Sequence, residues 1–483
     1  MTDRNIKRVA VIGAGISGVV SAGHLLAAGL EVTVFERSKA AGGNWLYDKR
    51  VPIEAVYPSI HPSDAIKFGR DGREGNERKE LIHAPPGPCY EGLTNNVSTP
   101  LLKTTLNSWP KDTPPYVTHD VLLNYIQDTS KTAGVDAATI YGALVTKVYK
   151  EGSEWHVTWT TLHEDPETGN LTEKSESAIF DAVVVASGHY HVPLVPDIKG
   201  LAEAKAKWPT VITHSKSFRN SEGFSDKNVL LIGGGVSSLD IAKEISSKAR
   251  TVHQSTRNGY FDISAAALPE KTKRIEEVIE FEITENASGE HLPLIAHLKS
   301  GGTLENIDRV VLATGYQLVL PFLPQYNDET LTRISTDESV IISDGTQVHN
   351  LHRDIFYIPD PTLAFVGIPF YTATFSLFEF QAIAVTAFLS GAINLPSVDE
   401  QRAEYQEKIK TKGYGRSFHS LKGEEEGYVI DLLDWVNKER ALQNLPPIEG
   451  HTAVWLEAKK AQIEHLKVLF PDIYGAVEVA ASA

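Results

Sequence analysis

Two stretches of this chain repeat one pattern at a constant offset of 220 residues. Arg8-Val9-Ala10-Val11-Ile12 runs into Gly13-Ala14-Gly15-Ile16-Ser17-Gly18, and Asn228-Val229-Leu230-Leu231-Ile232 runs into Gly233-Gly234-Gly235-Val236-Ser237-Ser238. Each is a short apolar run, read as a buried parallel strand, then a glycine turn, then an amphipathic stretch read as a helix. In the first copy the helix covers Val19 to Ala28, Gly29 stops it, and a second strand, Glu31 to Phe35, ends at Glu36. That context gives GxGxxG its meaning: Gly13 permits a tight turn, Gly15 lets backbone approach a pyrophosphate, and Gly18 lets helix and strand pack closely. Ala14, Ile16 and Ser17 complete the turn, and the helix N-terminus faces the negative charge.

The two copies differ where the nucleotide is discriminated. Glu36, eighteen residues after Gly18, is placed for ribose hydroxyls. Its counterpart in the second copy is Thr256, followed by Arg257. A carboxylate repels a 2′-phosphate, whereas a hydroxyl beside a guanidinium welcomes one. Gly18 becomes Ser238, which loosens helix-to-strand packing, and Ser237 and Ser238 open the second helix where a pyrophosphate would lie. The first site is therefore expected to hold a nucleotide with a free ribose and the second NADPH. Two such sites in one chain imply a bound flavin and a nicotinamide that reduces it. The fold class that follows is α/β, with two Rossmann-like dinucleotide-binding domains.

Composition narrows the chemistry. The net charge of −16 argues against nucleic-acid binding. The only cysteine is Cys89, so neither a CxxC redox pair nor a thiolate zinc cluster is available. His189-Tyr190-His191 places two imidazoles on one face of a strand, but no third ligand stands at a recognisable spacing, so no metal is expected. No apolar run reaches membrane-spanning length and no signal peptide is visible, which gives a cytoplasmic expectation.

Several further segments resemble the flavin-containing monooxygenases, class B enzymes that use FAD and NADPH. They are Arg37 after Glu36, then Gly42-Gly43-Asn44-Trp45; Phe180 to His189; Asp308 to Tyr316, which contains Ala313-Thr314-Gly315-Tyr316; Asn350-Leu351-His352; and Leu377 to Ala382, with Gln381. The family fingerprint, FxGxxxHxxx(F/Y), is met at His214 and Phe218, while Trp208 and Thr210 depart from it. The resemblance implies that the NADPH domain, residues 191–319, is inserted in an FAD domain made of residues 1–190 and 320–483.

It also implies an oxygenation cycle through a C4a-hydroperoxyflavin that molecular oxygen forms and a soft nitrogen or sulfur of a small substrate attacks. Asn96 matches the family's active-site asparagine, with Asn95 and Val97 beside the cofactors. The implied cofactor contacts are Gly13, Ala14, Gly15, Ile16, Ser17, Gly18, Glu36, Arg37, Gly43, Asn44, Trp45, Asn95, Val97, Gly233, Gly235, Ser237, Ser238, Thr256, Arg257 and Gln381. Phe218-Arg219 replaces the Trp that Baeyer–Villiger relatives carry, which favours heteroatom oxygenation; a Baeyer–Villiger enzyme and an uncoupled NADPH oxidase stay as alternatives. Oligomeric state is open, with a homodimer among the options.

Two local expectations remain. Residues 46–90 form an insertion whose charged, glycine-rich part, 67–80, reads as a solvated loop with the character of a lid or subunit contact. Gly427 to Val436 and Ala453 to Leu469 read as amphipathic segments packed on the FAD domain, and Ala476 to Ala483 as a frayed end. Met1 is the only methionine. Economy under sulfur limitation, protection from oxidation and a reconstructed sequence each account for that.

Overall fold

The computed structural model describes residues 6–69, 71–285, 291–332, 334 and 337–469, so Ala476 to Ala483 lie outside it. The first glycine turn joins strand Arg8–Ile12 to helix Ile16–Ala27, and the chain returns as strand Glu31–Glu36, parallel to the first. Gly29 takes a left-handed φ of 82° just past the helix, which is why it stops there. These strands sit inside a seven-stranded sheet ordered Leu351–His352, Phe356–Tyr357, Leu363–Phe365, Ala182–Val185, Arg8–Ile12, Glu31–Glu36, Thr139–Tyr141. One face carries helix Ile16–Ala27 and the apolar helix Thr374–Leu389. The other packs on an antiparallel meander, Leu144–Glu151, Glu154–Glu164 and Leu171–Phe180, through Phe35, Trp155 and Trp159.

The second glycine turn lies in a separate, all-parallel five-stranded sheet ordered Thr272–Ile275, Thr251–Ser255, Asn228–Ile232, Arg309–Leu312, Ile212–His214. The likeness of the two halves extends beyond the glycines. Asp181, just before strand Ala182–Val185, accepts the backbone N–H groups of Lys7 and Arg8 (2.8 Å each). Asp308, just before Arg309–Leu312, likewise accepts that of Asn228 (2.7 Å). Each acid satisfies amides at the entrance of its central strand.

The chain passes between the sheets twice, and the two passages pair. Val192–Pro193 and Tyr316–Gln317 form an antiparallel ribbon, and Gln317 donates to the carbonyl of Ser59 (2.8 Å). The insertion differs from its expectation. Within the stretch read as a solvated loop, Gly75–His83 is a helix, and Asn76 bonds Gly169 O and Leu171 N on the meander (2.7 and 2.8 Å). Earlier in the insertion, Glu54 reaches the second sheet. It accepts the N–H of His214 (3.1 Å) and the hydroxyl of Ser217. The charged residues pair at short range instead of facing water alone, as Arg73 does with Asp71 and Arg50 with Asp48. That pairing let a polar sequence adopt ordered structure.

Candidate active site

The two turns are built alike. Gly13 and Gly233 have φ of 103° and 120°, and a Cβ at either would meet a backbone carbonyl: Ala186 O at 2.6 Å and Ala313 O at 2.3 Å. Only glycine fits there. A Cβ at Gly18 would meet Gly13 O at 1.8 Å. Ser238, at the corresponding place, is fully buried and its hydroxyl receives Gln254 Nε2 at 2.9 Å. Neither helix has an acid in its own first turn, which leaves the positive end of its dipole free of a carboxylate from the helix itself. A Cβ at Gly235 would meet nothing within 4 Å, while Gly15 lies against the backbone of Gly43. The open backbone at Gly235 and the glycine-on-glycine contact at Gly15 suit dinucleotides that must approach main chain.

Around the first turn the expected residues gather, though several side chains serve the protein itself. Glu36 is buried and accepts the N–H of Ala14 and of Ser38, both at 2.8 Å. Each carboxylate oxygen keeps a second lone pair for a ribose hydroxyl. Arg37 donates to His191 Nδ1 (2.8 Å), and Lys216, buried, donates to the carbonyl of His191 (2.8 Å). Burial first, then the neighbouring cations, pushes the His191 and Lys216 pKa values well below their ordinary range. The crowding of N–H donors around Arg37 at the junction of the sheets suits an anionic cofactor, whose charge would favour the protonated form of Lys216. Ser17 is buried and donates to Ala186 O (3.3 Å), and Gly43 and Asn44 are exposed in a short helical turn with Trp45.

Gln381 is fully buried and committed: its Oε1 accepts the N–H of Gly367 (3.0 Å) and its Nε2 donates to Tyr428 (2.8 Å). Because Gly367 in turn packs on Ser17, Gln381 shapes the site through that loop instead of offering its amide to a ligand. His189 Nδ1 donates to Gly367 O at 3.0 Å, so the tempting His-Tyr-His pair is engaged elsewhere.

The second site also departs from its expectation. Thr256 is buried and its hydroxyl bonds the carboxylate of Asp262, which also accepts the N–H of Gly259 (2.9 Å). Asp262 lies against the turn, since a Cβ at Gly234 would meet its Cγ at 2.5 Å. No spacing rule pointed to it. Arg257 stands largely in solvent, 4.0 Å from Glu277, and its field lowers the pKa of the buried Arg416 after the dominant effect of burial. Ser237 is exposed at the helix start, whereas Ser238 faces inward, so only the former presents a hydroxyl.

Between the sites runs the loop of Asn95, Asn96 and Val97. Asn95 is buried. Its amide donates to Val97 O (2.7 Å) and Pro115 O (2.8 Å), and its oxygen accepts Val117 N–H (2.6 Å). Both of its N–H donors are spent on the loop, so it knits the loop together. Asn96 is exposed, and its side-chain amide has no hydrogen bond among the described residues. Val97 packs on the cores behind the first turn. On the other side, Tyr90 packs on the core behind the second turn and Gly92 touches Glu244 on its helix.

The fingerprint His214 holds the junction. Its Nε2 donates to Gly315 O (3.1 Å) and its Nδ1 accepts the N–H of Lys216 (3.1 Å). Burial pushes its pKa down to about 4, so it stays neutral. Phe218 packs with Tyr90 and Phe224, and the Arg219 guanidinium donates to carbonyls of Arg50, Cys89 and Phe218 (2.9–3.3 Å). Arg219 is thus a structural clamp. Cys89 is buried, and burial raises its thiol to about 12, so it is inert.

Comparison with known proteins completes the identification. The model of the flavin-binding monooxygenase-like family matches residues 6–63, 86–269 and 289–450. The chain is 50% identical to the flavin-containing monooxygenase ustF2 of Aspergillus flavus, over 95% of this chain and 98% of that protein. It is 30% identical to the flavin-containing monooxygenase iboF of Amanita muscaria, over 90% and 89%. Among solved structures, S-allyl-L-cysteine S-oxygenase from Allium sativum superimposes with a TM-score of 0.68 at 24% identity, covering 97% of this chain and 94% of that one. With both nucleotide turns and the connecting loop in place, the chain belongs to the flavin-containing monooxygenase family and is an FAD- and NADPH-dependent monooxygenase.

Proposed function

We propose that the enzyme transfers one oxygen atom of O2 to a soft nitrogen or sulfur of a small molecule, with Asn96 as the polar group at the reacting centre. The balance is substrate, O2, NADPH and a proton in; oxygenated substrate, water and NADP+ out. When bound, the flavin supplies the two-electron link between NADPH and oxygen. The chain supplies position and shelter. The observation that carries the reading is the division of labour between adjacent amides: Asn95 is tied by three hydrogen bonds, while the exposed amide of Asn96 has no hydrogen bond among the described residues. A carboxamide donates and accepts without titrating, so it serves a polar, charge-sensitive oxygen species over a wide pH range.

The first turn would take the FAD pyrophosphate, with Glu36 on the ribose and Arg37 on the anionic side. The second turn would take NADPH, with Ser237 at the pyrophosphate and Arg257 at the 2′-phosphate. We take residues 191–319 as the NADPH unit, and the paired passages at 192–193 and 316–317 support that limit.

The test is a panel of a sulfide, an amine and a cyclic ketone, scored as oxygenated product per NADPH consumed. Sulfoxide or N-oxygenated product is expected. Lactone from the ketone with neither of the others would reverse the reading in favour of Baeyer–Villiger chemistry.

A further inference from the structure

The family model ends at residue 450, yet the helix Ala453–Leu469 lies across the loop that carries Asn96. Its inward positions recur at helical spacing. Trp455 is buried against Leu101 and Ala373 and donates to Ser376 Oγ (3.1 Å). One turn on, Lys459 pairs with the buried carboxylate of Glu425, which also accepts the N–H of Ala373 (2.6 Å). Next comes Gln462, 4% exposed, whose Nε2 donates to the backbone carbonyl of Asn96 (3.0 Å). Ile463 and Leu466 then pack with Leu239, on the helix of the second glycine turn, and with Ile263. The helix thus starts against the first turn of helix Thr374–Leu389, which packs on the first sheet, and ends on the second unit. The sequence reading packs this helix on the FAD domain; the contacts of Ile463 and Leu466 with Leu239 and Ile263 add the second unit.

The Gln462 contact has one orientation only. Asn96 offers a carbonyl, so the amide nitrogen must face it, and the Gln462 oxygen is left buried with no hydrogen bond among the described residues. A buried amide with one end unsatisfied is uncommon and calls for a physical reason.

We infer that Gln462 is a positioning residue for Asn96: it pins the backbone of the oxygenation loop from a helix that also rests on the NADPH unit. The inference builds on the role proposed above for Asn96. Restraining the Asn96 carbonyl limits rotation of the peptide that carries its side chain, so the amide is held in one direction over the site.

The test uses the full-length holoenzyme and four variants: N96A, Q462L, the double variant, and E457A on the outward face of the helix. Hydrogen peroxide and oxygenated product are measured per NADPH, alongside flavin content. Q462L is expected to raise peroxide release about three- to tenfold, the ratio that one neutral hydrogen bond is worth. The double variant should match N96A, since both act through one group, and E457A should match the parent. Amide hydrogen exchange at residues 94–98 should quicken in Q462L, in protein with and without cofactors. If Q462L loses flavin, Q462M, unbranched and closer in shape, takes its place; exchange in the cofactor-free protein reads the contact in either case.

A Q462L enzyme as well coupled as the parent, or with unchanged exchange at 94–98, overturns the inference while an uncoupled N96A leaves the Asn96 role standing. An N96A enzyme that stays coupled overturns the Asn96 role itself. Additive effects in the double variant would show that Gln462 acts elsewhere, and overturn the positioning role.

Discussion

Asn95 and Asn96 show how little a residue's identity says about its task. Adjacent, identical side chains differ because one finds backbone partners at Pro115, Val97 and Val117 and the other finds none among the described residues. Removing that of Asn96 should leave folding and NADPH consumption in place and divert electrons: N96A is expected to oxidise NADPH while releasing more peroxide and less product, checked by peroxide and product assays on one sample. At the second site Arg257 is the exposed cation beside the turn. R257A is expected to raise KM for NADPH about tenfold, the loss of roughly 1.4 kcal/mol, and to leave KM for NADH unchanged. Equal effects on both nucleotides would remove Arg257 from the 2′-phosphate. Glu36 and the glycines stand where spacing after a strand put them, whereas Asn96 was singled out only by the family resemblance. The commitment of Thr256 to Asp262, of Ser238 to Gln254 and of Gln381 to Gly367 was not legible in the sequence, because each depends on a partner that only the folded chain brings near.

Elements were read more surely than side chains. Both glycine turns, their strands and helices, and the helix Ala453–Leu469 follow from local periodicity, which needs no distant information. The helix Gly75–His83 was misread because its polar, glycine-led sequence lacks an apolar stripe; contacts with the meander hold it. The two turns allow a clean comparison. Since a Cβ at Gly13 or Gly233 meets a backbone carbonyl well inside contact distance, alanine at either must displace its turn. G13A is expected to yield protein without bound flavin, colourless after desalting. G233A is expected to stay yellow but to lose reduction by NADPH, followed as bleaching of the visible flavin absorbance. Flavin retained in G13A would uncouple the first turn from the FAD site.

For the whole molecule, acid is the weak direction. His189, His214 and His349 are pushed down to about 4, chiefly by burial. Unfolding returns each to about 6.5. Between these values the unfolded chain binds protons that the native chain does not, so the stability these groups contribute is complete above about pH 6.5 and is lost as pH falls towards 4. Each adds a slope of up to about 1.4 kcal/mol per pH unit in that window. Thermal unfolding followed from pH 7.5 to 4.5 should show a steep fall in Tm below 6.5, and H214N should make the fall shallower. A flat Tm across that range would mean the imidazoles are charged in the fold.

The ribbon of Val192–Pro193 against Tyr316–Gln317 constrains how the two sheets move. A pair of short antiparallel segments resists being pulled apart, because separation breaks its ladder, but it yields readily to torsion. Any rotation of one sheet against the other would twist that ribbon and disturb the packing of Ile463 and Leu466 on Leu239.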